Sequence, residues 1–177
     1  MDRRIRFLLI LILFLFAAGC AHVISRNFRD QVDPALTFRQ VKQNPDEYKS
    51  KMVLWGGEII HTLNQKDGST LIEVLQRPLD WGEEPDRSRP SEGRFLFFER
   101  GYLDPYIYRT GRKITVAGEI QGERIKLLGE MDYRYPLLLS KEIYLWQDYY
   151  YRHPYYYYYD PWWGYPYWRR YPYYYRR

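Results

Sequence analysis

The sequence predicts a mostly β protein, a small five-stranded antiparallel barrel with a few short helices. Three features point there. Between Lys51 and Trp146, segments rich in β-branched and aromatic residues recur between turn-forming clusters. In "RKITVAGEI" the alternation is clean, with Ile114, Val116, Gly118 and Ile120 on one face and Thr115, Ala117 and Glu119 on the other. Two of the strands share a Gly-Glu-Ile element, "WGGEI" and "VAGEI", and glycine lets a strand bend and pack closely at a barrel corner.

The chain starts differently. In "MDRRIRFLLILILFLFAAGC", Arg3, Arg4 and Arg6 precede an unbroken apolar run and three small residues, the pattern of a secretory signal peptide over residues 1–19. The run from Phe7 to Ala18 is 12 residues. As a helix that is about 18 Å, well short of a hydrocarbon core of roughly 30 Å. Cys20 is the chain's single cysteine, so it has no partner for an internal disulfide. "AAGC" resembles a bacterial lipobox, which implies cleavage after Gly19 and acylation of Cys20 as the first mature residue. Ala17 stands where many lipoboxes have leucine. Ala21, in place of aspartate, resembles the outer-membrane sorting class. Several acyl chains on one residue make a lasting anchor, because each buried methylene gives about 0.8 kcal/mol.

Residues 20–35 then read as a lipidated N-terminus and tether, since "AHVISRNFRDQV" has no clear period. Asp33 and Pro34 offer an N-cap and first turn for a helix to about Gln43. Asn44 with Glu47 resembles a second capping box. From Lys51, "KMVLWGGEIIHTL" and "TLIEVLQRPL" flank the turn "NQKDGS" and form a hairpin. The charged, proline-containing "DWGEEPDRSRPSEG" is expected on the surface. "RFLFFER" is a third strand, and Asp104 and Pro105 start a helix of under two turns that ends at Gly111. "RKITVAGEI" is the fourth strand and "PLLLSKEIYLW" the fifth, with "RIKLL" (124–128) as a short hairpin arm between them. The order β-β-β-α-β-β over residues 36–147 matches the OB-fold.

Residues 148–177 are different again, with 14 tyrosines, three tryptophans and four prolines. Pro154, Pro161, Pro166 and Pro172 rule out a regular core element, so this is a low-complexity aromatic tail without fixed structure. Its rings suit stacking on glycan such as peptidoglycan, or a membrane interface. Arg152, Arg169, Arg170, Arg176 and Arg177 could make cation–π contacts within it. A sticky tail with no unique partner is the competing reading. The net charge of +5 belongs to the two ends, leaving residues 20–147 neutral by count. Together with export, that disfavours a nucleic-acid partner.

"GGEIIHTLNQKDGSTLIEVLQRPLD", "GRFLFFERGYLDPYIYRTGRKITVAGEIQG" and "YPLLLSKEIYLWQ", with the lipobox, resemble the Slp family of outer-membrane lipoproteins, some of which are induced on starvation. The resemblance spans about residues 36–147. It implies an outer-membrane lipoprotein facing the periplasm, and it brings no catalytic residues.

The residues themselves show no nucleophile, metalloprotease or phosphate-loop motif. His22, His61 and His153 are scattered through tether, strand end and tail, so no zinc site or other cofactor is expected. His61 reads as a barrel-rim residue and Asp104 as a cap. Glu58, Glu73, Glu119 and Glu130 could oppose one another across strands and mimic a glycosidase pair, although strand glutamates are usually solvent-facing positions. The leading expectation is a non-enzymatic lipoprotein, bound to the membrane through Cys20, with a structural or envelope-interaction role. The alternative is an OB-type binding module for an envelope oligosaccharide, using loops 63–69 and 121–135. An envelope hydrolase is a distant third.

Overall fold

The computed structural model describes residues 22–147. The signal peptide, Gly19, Cys20 and the aromatic tail lie outside them. Five strands, β1 (Met52–Asn64), β2 (Thr70–Arg77), β3 (Arg94–Glu99), β4 (Lys113–Leu128) and β5 (Met131–Leu145), close into a barrel of order β1-β2-β3-β5-β4. The OB-like barrel read from the sequence is the observed fold. One ladder departs from antiparallel: β3 and β5 run parallel, with Leu96 opposite Leu137 and Phe98 opposite Leu139. A ring of five strands cannot alternate direction all the way round, so one parallel neighbour pair is unavoidable.

Ile59, Ile72, Val74, Phe95, Phe97, Ile114, Val116, Ile120 and Leu138 fill the interior and are essentially inaccessible. The shared glycines act as expected. A Cβ at Gly57 would lie 1.9 Å from the Leu75 carbonyl oxygen, so β1 and β2 cross too closely there for any side chain. Gly118 sits at a register shift between β4 and β5, with the Leu139 oxygen 3.1 Å from a would-be Cβ.

The helices differ from expectation. The helix that packs against the core is α2 (Phe38–Gln43), which follows the four-residue α1 (Arg26–Arg29). It starts at Thr37, not at Asp33. The Gln40 N–H donates to Thr37 Oγ1 at 3.3 Å and the Thr37 N–H to Gln40 Oε1 at 2.8 Å, a reciprocal capping box worth about 1 kcal/mol. Asp33 instead caps a tight turn through the Ala35 N–H. Buried Phe38 meets Trp55 and Phe95 edge-to-face at 4.8 and 6.2 Å, which closes one region of the barrel. The expected box at Asn44 is a 3₁₀ turn, Pro45–Tyr48, with no side-chain cap. Between β3 and β4 there is no helix: Asp104 Oδ1 accepts the Tyr106 N–H at 2.8 Å, but the chain makes turns only. Pro105 begins a turn that leaves too few residues to propagate before Gly111.

Three further expectations are corrected. Residues 22–32 are not free: Ile24 is buried, and Val32 bridges to Met52 in parallel. The 80–93 segment is not wholly superficial, because Glu83 and Pro85 are buried in it. Residues 121–135 are not a loop: β4 and β5 continue as a two-stranded arm to a two-residue turn at Gly129–Glu130, with Leu128 opposite Met131. Ile125, Leu127 and Met131 are exposed on this arm.

Candidate functional site

The face of an OB barrel that holds oligomers is the outer side of β2 and β3. Here it is covered. Leu71 and Leu96 point outward, alternating with core residues, yet they are buried with Tyr135 in a second apolar cluster that Phe98, Tyr133 and Leu137 complete. Beside it, Glu73 Oε1 accepts from Arg94 Nη1 at 2.7 Å and from the Tyr135 hydroxyl at 3.2 Å. The Arg94 N–H donates to the Tyr133 hydroxyl at 3.0 Å. Glu73 holds the Arg94 guanidinium above its ordinary pKa. Burial, reinforced by the Glu73 charge, pushes the Tyr135 phenol up. Lys42 and Lys126 lie over the Tyr133 and Tyr135 rings. The arm therefore supplies the cover for this face, a role that is not legible in the sequence because Tyr133 and Tyr135 read as loop residues.

Loop 63–69 satisfies itself. Asp67 Oδ1 accepts the Ser69 hydroxyl at 2.6 Å and the Ser69 N–H at 3.0 Å, and the hydroxyl holds this carboxyl below its usual range. An open cleft of about 550 Å³ lies between residues 32–38 and the β1–β2 region, with Val32, Pro34, Phe38, Trp55 and Pro78 in its walls.

The four carboxylates singled out in the sequence do not face one another. Glu58 lies opposite Lys113 and Leu75 and binds Arg77 and Arg87; Glu73 lies opposite His61 and Leu96. Glu119 pairs with Lys141 at 3.0 Å, which holds its carboxyl below the usual range, while Glu130 is exposed in the arm turn. His61 is exposed near the end of β1. Among the described residues there is no group of three or more His, Cys, Asp or Glu able to hold a metal. No described helix is long and apolar enough to cross a membrane.

The most unusual local chemistry surrounds Glu83, in a segment whose charges and prolines predict a surface loop. Its backbone is left-handed, φ 67°, a conformation that costs a non-glycine residue about 1 kcal/mol or more. The side chain is only 7 % exposed. Oε2 accepts two consecutive backbone N–H groups, Val23 at 3.0 Å and Ile24 at 2.9 Å. His22 Nδ1 and Arg29 Nη1 stand 3.0 and 3.6 Å from Oε1, which accepts no hydrogen bond of good geometry. The next amide, Ser25, donates to Glu142 Oε2 at 2.9 Å. Three successive N–H groups of the N-terminal segment are thus captured by carboxylates from an interstrand loop and from β5. On the barrel side, the Thr115 hydroxyl donates to the Glu83 carbonyl at 2.7 Å. This explains why Thr115, on the outward face of β4, is as buried as the core. A buried carboxylate is expensive unless hydrogen-bonded and paired, and the N-terminal segment supplies those partners.

The sequence matches the family described as "Outer membrane lipoprotein Slp family" over residues 17–174. It is 32% identical over 140 residues to Outer membrane protein Slp of Escherichia coli (strain K12), covering 78% of this chain and 73% of that protein. To the uncharacterized lipoprotein YeaY of the same strain it is 30% identical over 124 residues, 70% of this chain and 63% of the other. A solved structure, a small single-stranded DNA-binding protein from Streptomyces coelicolor, aligns with TM-score 0.35 and 13% identity over 53% of this chain and 92% of its own. With the family matched across the barrel and both flanking segments, the chain belongs to the Slp family of outer-membrane lipoproteins.

Proposed function

We propose that the chain is exported, cut after Gly19 and acylated on Cys20, so that it holds a non-catalytic β domain at the periplasmic face of the outer membrane in a structural or envelope-interaction role. The observation that carries this reading is the "AAGC" lead-in, two positions ahead of His22, where the segment held by Glu83 begins. Two or three acyl chains supply lasting attachment where one would hold only marginally. The decisive experiment is intact mass with membrane fractionation of wild type and Cys20→Ser. The wild type should carry the mass of its acyl chains and sediment with outer membranes, and the variant should lose both. An unacylated wild type free in solution overturns the reading.

The aromatic tail extends this role by contacting envelope material, with glycan as the polymer its rings suit. Its composition, 14 tyrosines and three tryptophans over residues 148–177, supports this. Sedimentation with purified peptidoglycan should fall when residues 148–177 are removed, and equal retention would take the tail out of the proposal.

A further inference from the structure

We infer that the Glu83 clamp seats the barrel directly on the bilayer in one orientation, with Trp81 as the side chain that enters the lipid interface and the β4–β5 arm pointing away from it. The inference rests on acylation of Cys20. Only Ala21 separates Cys20 from His22, a reach of at most about 7 Å over two residue steps. From His22 onward the segment is fixed, because the Val23, Ile24 and Ser25 amides are all held by carboxylates and Ile24 is buried. A lipoprotein on a long flexible linker can drift from the membrane and tumble; this one has almost no slack.

The part of the barrel nearest the anchor follows from the same contacts. Glu83 holds the N-terminal segment, its carbonyl accepts from Thr115, and Thr115 Oγ1 accepts the Trp146 indole N–H at 2.9 Å. Two residues before Glu83, Trp81 is 95% exposed. A tryptophan left almost wholly in water is an unspent apolar surface with a polar N–H at its edge, the combination that favours the headgroup level of a bilayer. Its backbone is set by Asp80, whose Oδ1 accepts the Gly82 and Glu84 N–H groups at 2.9 and 2.8 Å. The ring is therefore presented by a rigid turn joined to the clamp. In the other direction, β4 runs continuously from Lys113 to Leu128. The 12 positions from Thr115 to Leu127 extend up to about 40 Å, which carries the exposed Ile125, Leu127 and Met131 away from the anchored side.

The test uses the full mature lipoprotein in vesicles of phosphatidylethanolamine and phosphatidylglycerol. Acylation blocks the Cys20 thiol, so a nitroxide can be attached at Trp81→Cys or at Leu127→Cys alone. Accessibility to a water-soluble nickel chelate should be about threefold or more lower at 81 than at 127, with oxygen accessibility higher at 81, as for a group a few ångströms below the headgroups. Glu83→Gly removes the carboxylate, keeps the carbonyl that Thr115 uses and suits the left-handed backbone. It should return the label at 81 to aqueous values, while the protein stays on the vesicles. The 81/127 comparison alone decides orientation if that variant does not fold. Acylated, vesicle-bound protein with equal, aqueous accessibility at both sites overturns this inference and leaves the anchor intact. A preparation without acyl mass overturns both.

Discussion

The indole N–H of Trp146 donates to Oγ1 of Thr115 at 2.9 Å, and that hydroxyl in turn donates to the Glu83 carbonyl at 2.7 Å. The residue that follows β5 is thereby linked through β4 to the loop that holds the N-terminal segment. Arg112 adds a second tie, donating to the Trp146 carbonyl. Thr115→Val keeps the shape but leaves a donor and an acceptor without partners, and should cost about 2 kcal/mol. Trp146→Phe removes one donor and should cost about 1 kcal/mol. Urea denaturation midpoints check the order, and equal values would show that the Glu83 carbonyl gains nothing from Thr115.

Gly57 and Gly118 occupy matching Gly-Glu-Ile elements but differ in tolerance. At Gly57 a methyl group would collide with backbone, the Leu75 oxygen at 1.9 Å. Gly57→Ala should therefore cost more than about 4 kcal/mol and abolish soluble folding. Gly118 has its nearest neighbours at 3.1 and 3.2 Å, and Gly118→Ala should fold with a loss of about 1–2 kcal/mol. Circular dichroism melts of the two variants distinguish them.

Alkaline pH should loosen the covered β2–β3 face. The Tyr135 phenol is pushed above its ordinary value by burial and by Glu73, so the folded state binds its proton more tightly than the unfolded chain does. That stabilisation is full below about pH 10, the unfolded value, and is lost as pH rises through the folded one. Tyr135→Phe should remove this part of the alkaline decline, read as the difference between wild-type and variant stability from pH 8 to 11. Identical slopes would refute the coupling.

Acid acts on the opposite sign at Glu119. Lys141 holds its carboxyl below the usual range, so the stabilisation is present above the unfolded value near pH 4.5 and is lost as pH falls through the folded one. Both side chains are partly exposed, so the effect is small, under about 0.5 kcal/mol. Lys141→Met should lower stability at pH 7 and leave it unchanged at pH 2.

Local chemistry made much of this readable in advance. The hairpin around Asp67, the alternation of Ile114, Val116 and Ile120, and the close-packing glycines are nearest-neighbour facts, set by backbone sterics and period-two burial. Helix starts were less readable. Asp33 and Thr37 are both good caps, and the choice went to Thr37 because only that register places Phe38 and Val41 into the core. The arm at 124–128 was legible, but not its length or its covering role, because Ile125, Leu127 and Met131 are apolar without being buried.

By itself the sequence determined the strand content, the OB-like barrel class and the lipobox resemblance, since each was read from residues close together in the chain. Only the tertiary structure decided that Glu83 reaches back 60 positions to the Val23 amide, that Tyr133 and Tyr135 cover the outer face of β2 and β3, and that no two candidate carboxylates meet. These are pairings between distant segments, and their free energy exists only once barrel closure has brought the partners together and removed the water between them.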